Sequence, residues 1–466
     1  MDKKQKRGSF TGSIGFVLAS AASAVGLGNI WRFPYLAAKD GGGLFLLCYI
    51  ILAITFGFTL MVSEIALGRK TRQGPLTAYK QLHPKWGWIG TFACLVPCMI
   101  LPYYSAIGGW VLKYLSTYVT MHGSDAVDSG YFTGFITSQW EPVLWFAIFL
   151  GLTTLIVYMG VDSGIERVSK VLMPILIVLI IGISVFSLRL KFTDAEGITR
   201  TGMQGLKVYV VPNFQGLTAR KFFIVLMDAM GQLFYSVSVA MGIMVAYGSY
   251  AKDETDLVKS TNQIEIFDSI TAFLAGLMII PAVFTFMGAE GMSAGPSLMF
   301  VSLPKVFDAM GSIGGIVAIL FFVTVSFAAV TSSVSIMEAI VSSFVDKLHV
   351  NRKAAILLTS GAAFVIGLIV CFGYNLFYFE LPLPNGSVGQ ILDVLDYVSN
   401  SVLMPILAAA TCILIGWIAK PQVIIDEVTR NGEHFGRKGL YIVMVKYVVP
   451  VLLLFLFLQS FGIINL

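Results

Sequence analysis

The chain has 466 residues, 57% of them hydrophobic and only 12% charged, about half the charged share usual in a soluble domain. Lys and Arg outnumber Asp and Glu only modestly, 31 to 26, and they fall mainly in short loops rather than in a stripe interleaved with aromatics, which argues against a nucleic-acid partner. Apolar runs of about 18 residues or more recur along the chain, each long enough to cross about 30 Å of hydrocarbon, so the sequence predicts an all-α polytopic protein of the lipid bilayer.

The basic N-terminus, "MDKKQKRGSF", leads into an apolar stretch that is too long for a signal peptide and has no clean small-residue cleavage site. It reads as a retained first span. Eleven spans are predicted, at about 11–37, 41–69, 88–120, 142–159, 167–188, 221–248, 261–288, 311–346, 353–375, 389–418 and 440–463. Lys and Arg cluster in the N-terminal tail and in the loops after spans two, eight and ten. The positive-inside rule makes these segments cytoplasmic. The loop at about 121–141 carries Asp125, Asp128 and Glu141 but no Lys or Arg, and is expected outside. An odd number of spans then puts the C-terminus on the extracytoplasmic side. Residues 189–220 read as a longer outer loop, and residues 289–310 as a re-entrant or capping loop too interrupted to span.

Two spans carry breakers. The first reads "AVGLGNIWRFP" from Ala24, and the sixth reads "GQLFYSVSVAMG" from Gly231. In hydrocarbon an unpaired backbone group costs several kcal/mol, so a break needs something to replace the lost bonds. Carbonyls released at Ser23–Gly28 can coordinate a cation. Amides freed there can bind a carboxylate, aided by the helix dipole. Gly26 and Gly28 permit the dihedrals and the close approach, and Asn29 adds a neutral oxygen. A plain kink or a tight helix contact would use the same glycines. The two breaks lie five spans apart, as in transporters built from inverted repeats. This gives one transmembrane domain over 1–466, with a first repeat at about 11–188, a second at about 221–418 and an extra helix at about 440–463.

Other motifs carry less. "GLGNIW" lacks the third glycine of a dinucleotide fingerprint and has no preceding strand. "GMSAG", around Ser293, matches the nucleophile-elbow string without its strand–turn–helix context. The five cysteines lie in apolar spans with no metal-ligand spacing, and the four histidines are scattered through loops. No catalytic residue is assigned, and an enzyme is not expected.

The interrupted first span followed by "DGGGLF", together with "EIALGR", "PYYSAIGGW", "GIERVSKVLMP", "GQLFYS", "GPSLMFVSLP" and "TSSVSIME", resembles the neurotransmitter:sodium symporter family. The chain is similar to bacterial amino-acid transporters with the leucine-transporter fold, departing from many relatives by ending after the eleventh span. The resemblance implies sodium-coupled transport of a small amino-acid substrate across the plasma membrane, with discontinuous helices one and six. It implies a first sodium site at Ala24, Asn29, Ser236 and Asp268. A second would use carbonyls of Ala22, Val25 and Ala328 with the hydroxyls of Thr331 and Ser332. Substrate would lie among Ser23, Gly26, Leu27, Gly28, Ile100, Tyr104, Tyr235, Ser236, Ser238, Met241, Ser332 and Ile336, with Tyr104 holding its carboxylate.

Amine-transporting relatives place an aspartate at the position of Gly26, so the glycine here implies a substrate that brings its own carboxylate. The apolar subsite implies apolar or aromatic L-amino acids. Arg32 and Asp396 match the outer gate, paired through water above a lid of Tyr104 and Tyr235. Arg7 and Asp346 match the inner gate, beside Phe10 and Tyr250, and Glu338 adds charge to that network. Tyr49, Gln232 and Ser236 match three chloride ligands, but Asp268 and Ala272 stand at two further positions, so no chloride requirement is expected. Glu64 reads as a buried acid satisfied by neighbouring backbone. The rival readings are a non-transporting amino-acid sensor on the same fold, and an intramembrane hydrolase resting on Ser293.

Overall fold

The computed structural model describes residues 8–194, 196–288, 291–292 and 297–464. Among them, nine helices are long and apolar enough to cross a membrane. These are Gly43–Thr71, Pro84–Val119, Glu141–Tyr158, Val161–Leu188, Leu257–Met287, Gly311–Leu348, Arg352–Phe372, Ile391–Ile418 and Lys438–Ser460. A tenth follows if Ser13–Ala24 and Gly28–Lys39, bent by 54° at their junction, form one span. The predicted span at about 221–248 is divided into two helices, Ala219–Ser236 and Ile243–Tyr250.

Burial separates core from periphery. The apolar window of Pro84–Val119 is 78% buried, whereas the more apolar window of Val161–Leu188 is only 33% buried and that of Lys438–Ser460 only 28%. Apolar residues such as Val178, Ile181, Val451 and Leu454 therefore face outward from those helices, as expected where the surrounding solvent is hydrocarbon. The centre is Gly314–Leu348, which packs against Trp88–Val119, Glu141–Tyr158, Arg167–Leu188 and Ser13–Ala24.

Small residues set the closest approach. Gly68 on Phe58–Thr71 faces Ile243–Tyr250, where a side chain would meet the Ser249 amide at 2.8 Å. Gly248 faces back, and a side chain there would meet Ile65 Cα at 2.9 Å. Such reciprocal small-residue contact lets two backbones touch, and it fixes the short Ile243–Tyr250 helix against its neighbour.

The connections hold more order than their composition suggests. Residues 189–220, expected as a loop, contain an antiparallel hairpin (Lys191–Thr193 with Thr199–Thr201) and the helix Gly202–Val210. That helix starts at a capping box: Gln204 N donates to Thr201 Oγ1 at 3.3 Å, and Thr201 N donates to Gln204 Oε1 at 2.9 Å. The loop at 121–141 contains Ser129–Thr137, capped by Asp128. Leu298–Ser302 and Leu303–Ala309 are helical but short, and Phe300 packs edge-on to Trp31 and Trp110. This segment therefore caps the first interrupted helix.

Candidate functional site

Helix Ser13–Ala24 ends at Val25, and a π-helical turn resumes at Gly28. Side chains replace the backbone bonds lost between them. Asn29 Oδ1 accepts from the Gly26 amide at 3.2 Å, and Tyr104 OH accepts from the Leu27 amide at 3.4 Å. The Ser23 carbonyl accepts from Ser238 Oγ and Ser332 Oγ, each at 3.1 Å, while the Gly28 carbonyl accepts from Gln232 Nε2 at 3.1 Å. The second break, Val237–Gly242, has left-handed backbone at Ser238, Ala240 and Gly242, with φ of 54°, 57° and 74°. Its Ala240 amide donates to Glu64 Oε1 at 2.7 Å. The first break is thus satisfied partly by Ser238 of the second, the second is held by Glu64, and Ser23 Oγ lies 3.3 Å from Ser238 Oγ.

Between the breaks lies a small cavity. All twelve candidate substrate residues line it: Ser23, Gly26, Leu27, Gly28, Ile100, Tyr104, Tyr235, Ser236, Ser238, Met241, Ser332 and Ile336. Ala24, Asn29 and Ile243 complete the wall. Polar groups gather at the break in the first helix, and Ile100, Met241, Ile243 and Ile336 supply an apolar wall, the usual division of a small-molecule pocket. Gly26 has no room for a side chain, since a Cβ would lie 2.7 Å from Ser332 Oγ and 3.2 Å from Tyr104 OH.

Beside this cavity Asp268 is wholly buried and accepts three bonds. Its donors are Ser236 Oγ at 2.6 Å, Tyr49 OH at 2.8 Å and Asn29 Nδ2 at 2.9 Å. Two of the three residues matched to chloride ligands, Tyr49 and Ser236, therefore point at a carboxylate. Gln232, the third, turns to Gly28. Buried Ala272 lies one helical turn further along Leu257–Met287. The cluster offers a cation one fixed negative charge with neutral oxygens around it, which suits a hard ion.

The residues matched to the second sodium site meet where Ser13–Ala24 packs on Gly314–Leu348. Thr331 Oγ1 lies 3.2 Å from the Ala328 carbonyl and Ser332 Oγ 3.4 Å from the Val25 carbonyl, and Ala22 is fully buried. Back-bonding by a helical Thr or Ser is common, so the distinctive feature is the Ser332–Val25 contact across two helices. Among the described residues no group of three or more His, Cys, Asp and Glu side chains is placed to hold a metal.

The residues matched to the two gates are arranged unequally. Arg32 lies over the Tyr235 ring at 5.9 Å. Asp396 Oδ1 instead accepts from Tyr103 OH at 3.0 Å and Asn400 Nδ2 at 2.6 Å. Arg32, Tyr235 and Asn400 border a second, larger cavity, which shares Tyr235 with the first. At the other end, Arg7 and the Ser293 of the hydrolase reading lie outside the described residues, and Asp346 accepts from the Gly74 amide. Tyr250 OH donates to Glu338 Oε1 at 2.6 Å. Phe10 packs edge-on to Tyr247 and Tyr250.

Three charged groups have no sequence-level signal. Arg352 enters from the start of its helix to pair both oxygens of Glu338, at 2.7 and 2.6 Å. Glu166 accepts from the Thr11 amide at 2.8 Å and pairs with Lys170 at 2.6 Å. Asp228 accepts from Lys39 at 2.7 Å. Each partner is remote in sequence or lies in a segment whose charge looks like ordinary surface.

Residues 7–125 and 136–465 match the profile of a family described as the Sodium:neurotransmitter symporter family. The chain is 34% identical to a Bacillus subtilis protein named uncharacterized sodium-dependent transporter YhdH, with 99% of each chain covered. It is 30% identical to an uncharacterized sodium-dependent transporter of Haemophilus influenzae over 98% of each. Rat sodium- and chloride-dependent GABA transporter 2 is 28% identical over 82% of this chain and 70% of that one. Of solved structures, MhsT in complex with L-phenylalanine is similar at a TM-score of 0.84 and 32% identity, over 98% of this chain and 100% of that chain.

Proposed function

The chain belongs to the sodium:neurotransmitter symporter family, and from that premise we propose that it is a sodium-coupled symporter of apolar and aromatic L-amino acids, independent of chloride. The observation that carries this reading is the cavity between the two breaks, polar at one end and apolar at the other. The substrate carboxylate lies by the Gly26–Gly28 amides, Tyr104 and the first sodium ion, and the side chain lies against Ile100, Met241, Ile243 and Ile336. Gly26 leaves no acid to pair an amine that lacks a carboxylate. The solved relative that holds L-phenylalanine points to the same substrate class.

Sodium is a co-substrate in this reading. Asp268, Asn29, Ser236 and the Ala24 carbonyl hold one ion beside the substrate. Thr331, Ser332 and the carbonyls of Ala22, Val25 and Ala328 hold the second between helices Ser13–Ala24 and Gly314–Leu348. The second ion joins an inner half-helix to the scaffold, so its departure frees that half to move. Ser13–Ala24 with Gly28–Lys39, and Ala219–Ser236 with Ile243–Tyr250, are two broken spans in related repeats, giving eleven spans with the N-terminus inside and the C-terminus outside. Arg32, Asp396 and the Tyr104–Tyr235 lid close the outer side, and Arg7, Asp346, Tyr250 and Glu338 the inner. Each sodium charge entering down a potential of 100 mV contributes about 2.3 kcal/mol.

Competition of all twenty amino acids and their decarboxylated amines against one labelled substrate, with sodium or with choline, tests the proposal. Tryptophan or tyrosine should compete in sodium only, and tryptamine or tyramine should not compete at all. Equal competition by the amines would overturn the carboxylate assignment. Binding without uptake into sodium-energised vesicles would favour the sensor reading.

A further inference from the structure

The outer halves of the two broken spans are joined by a charged cluster outside the substrate and sodium sites. Lys39 ends Phe33–Lys39, Asp40 caps it, and Asp228 lies midway along Ala219–Ser236. Lys39 Nζ stands 2.7 Å from Asp228 Oδ2 and 3.8 Å from Asp40 Oδ1. Asp40 is only 4% exposed, and its Oδ2 is buried with no hydrogen-bond partner. The titratable groups that face Asp40 are Lys39 from the helix it caps, and Asp228 and Lys221 from Ala219–Ser236, and Tyr35 faces Lys39. Two carboxylates and one close ammonium leave the core of the cluster one negative charge in excess. Burial first, and then the charge of Asp228, push the Asp40 carboxyl up to about 7, against Lys39 and Lys221. Asp228 also borders the second cavity with Arg32 and Tyr235, so the cluster adjoins the outer gate.

We propose that Asp40, Asp228 and Lys39 form a proton-responsive clasp between the outer halves of spans one and six. With one proton on the carboxyl pair, the three side chains carry no net charge, and the protonated carboxyl of Asp40 donates toward Asp228. When that proton leaves to solvent, the clasp holds one excess negative charge in a buried place and loosens. The two half-helices that the clasp joins carry Arg32 and Tyr235, so external acidity favours the closed outer gate. This inference rests on the transport reading for its direction and its consequence, but not for the titration.

Two measurements on the full-length protein separate those dependencies. The first is the unfolding midpoint in detergent at pH 6 and pH 8, for the native chain, Asp40→Asn and Asp228→Asn. A carboxyl raised on folding contributes stability that is present at low pH and lost as pH rises through about 7. The native midpoint should therefore fall from pH 6 to pH 8 relative to that of Asp40→Asn. Parallel midpoints in the two proteins would overturn the clasp. If Asp40→Asn does not fold, Asp228→Asn, which removes the neighbouring charge, decides by the same comparison. The second is labelled-substrate affinity in vesicles with internal pH held and external pH varied. The native protein should lose affinity between pH 6 and 8, by at most about tenfold for one proton, and Asp40→Asn should lose less. An equal loss in both would overturn the link to the gate. Absence of substrate binding at every pH would sink the proposed function and leave the midpoints to judge the clasp.

Discussion

Glu64 Oε1 receives the backbone amide of Ala240 at 2.7 Å, joining two residues 176 positions apart in sequence. The acid lies on Phe58–Thr71 and the amide at the middle of the second break. Ala240 has φ of 57°, a left-handed conformation that costs a residue with a side chain roughly 1–2 kcal/mol. Glu64 supplies the bond that holds this turn. Replacing it by Ala leaves a buried amide unpaired, which costs about 1–3 kcal/mol. Glu64→Gln keeps an acceptor and should cost less, and Ala240→Gly should relieve strain. Thermal unfolding in detergent should rank Ala240→Gly at or above the native protein, then Glu64→Gln, then Glu64→Ala. Equal losses in the two Glu64 variants would rule out the amide as the reason for the acid.

A second prediction concerns Glu338, whose side chain is wholly buried while that of Arg352 remains 27% exposed. Removing one member of a buried pair strands the other, typically at about 3–5 kcal/mol. The exposure of Arg352 puts Arg352→Gln near the lower end, about 3 kcal/mol. Glu338→Gln with Arg352→Gln should be less damaging than Arg352→Gln alone, because no buried charge is left unpaired. A double-mutant cycle with no coupling would show that the contact does not hold the inner end together.

These two contacts show what sequence can and cannot reveal. The interruptions at Ser23–Gly28 and Gly231–Gly242 stand out because glycines and polar residues interrupt apolar spans, and local composition reports a local backbone event. All twelve candidate substrate residues border one cavity because the family resemblance carries a three-dimensional arrangement that periodicity does not. Arg352 has no such signal, since as the first residue of a helix after a polar turn it looks like one more cytoplasmic positive charge. Its reach to Glu338 depends on packing between helices. The helix Gly202–Val210 was hidden differently: nine residues inside a long loop fall below the length at which helical periodicity separates from chance.

The third prediction follows from the start of the fifth predicted span. Val161–Glu166 is π-helical after Gly160 at φ of 103°, and Pro174 lies inside Arg167–Leu188. Proline offers no amide to the carbonyl four residues earlier and weakens the helix by about 3 kcal/mol. Glu166 at this joint holds the Thr11 amide at 2.8 Å, so loosening here reaches the inner half of the first span. Pro174→Ala should stiffen the segment. Turnover in vesicles should fall severalfold while equilibrium substrate binding changes little. Unchanged turnover would reduce Pro174 to a kink.

The last prediction concerns chloride. Asp268 is buried with Ser236, Tyr49 and Asn29 at 2.6, 2.8 and 2.9 Å. A chloride ion beside it would face a fixed carboxylate. Two negative charges about 4 Å apart repel by about 4 kcal/mol at an effective dielectric of about 20. Ala272, one turn away, has no hydrogen to donate to an anion. In the proposed mechanism the carboxylate supplies the negative charge that an anion would otherwise bring. Uptake should be indifferent to replacing chloride by gluconate. Asp268→Asn removes the charge, and Ala272→Ser adds a hydroxyl donor at the matching place. Together they should restore uptake that requires chloride, whereas Asp268→Asn alone should lower uptake in either salt. Strong chloride dependence of the unmodified protein would falsify this account, since an anion could then bind only at residues other than those around Asp268.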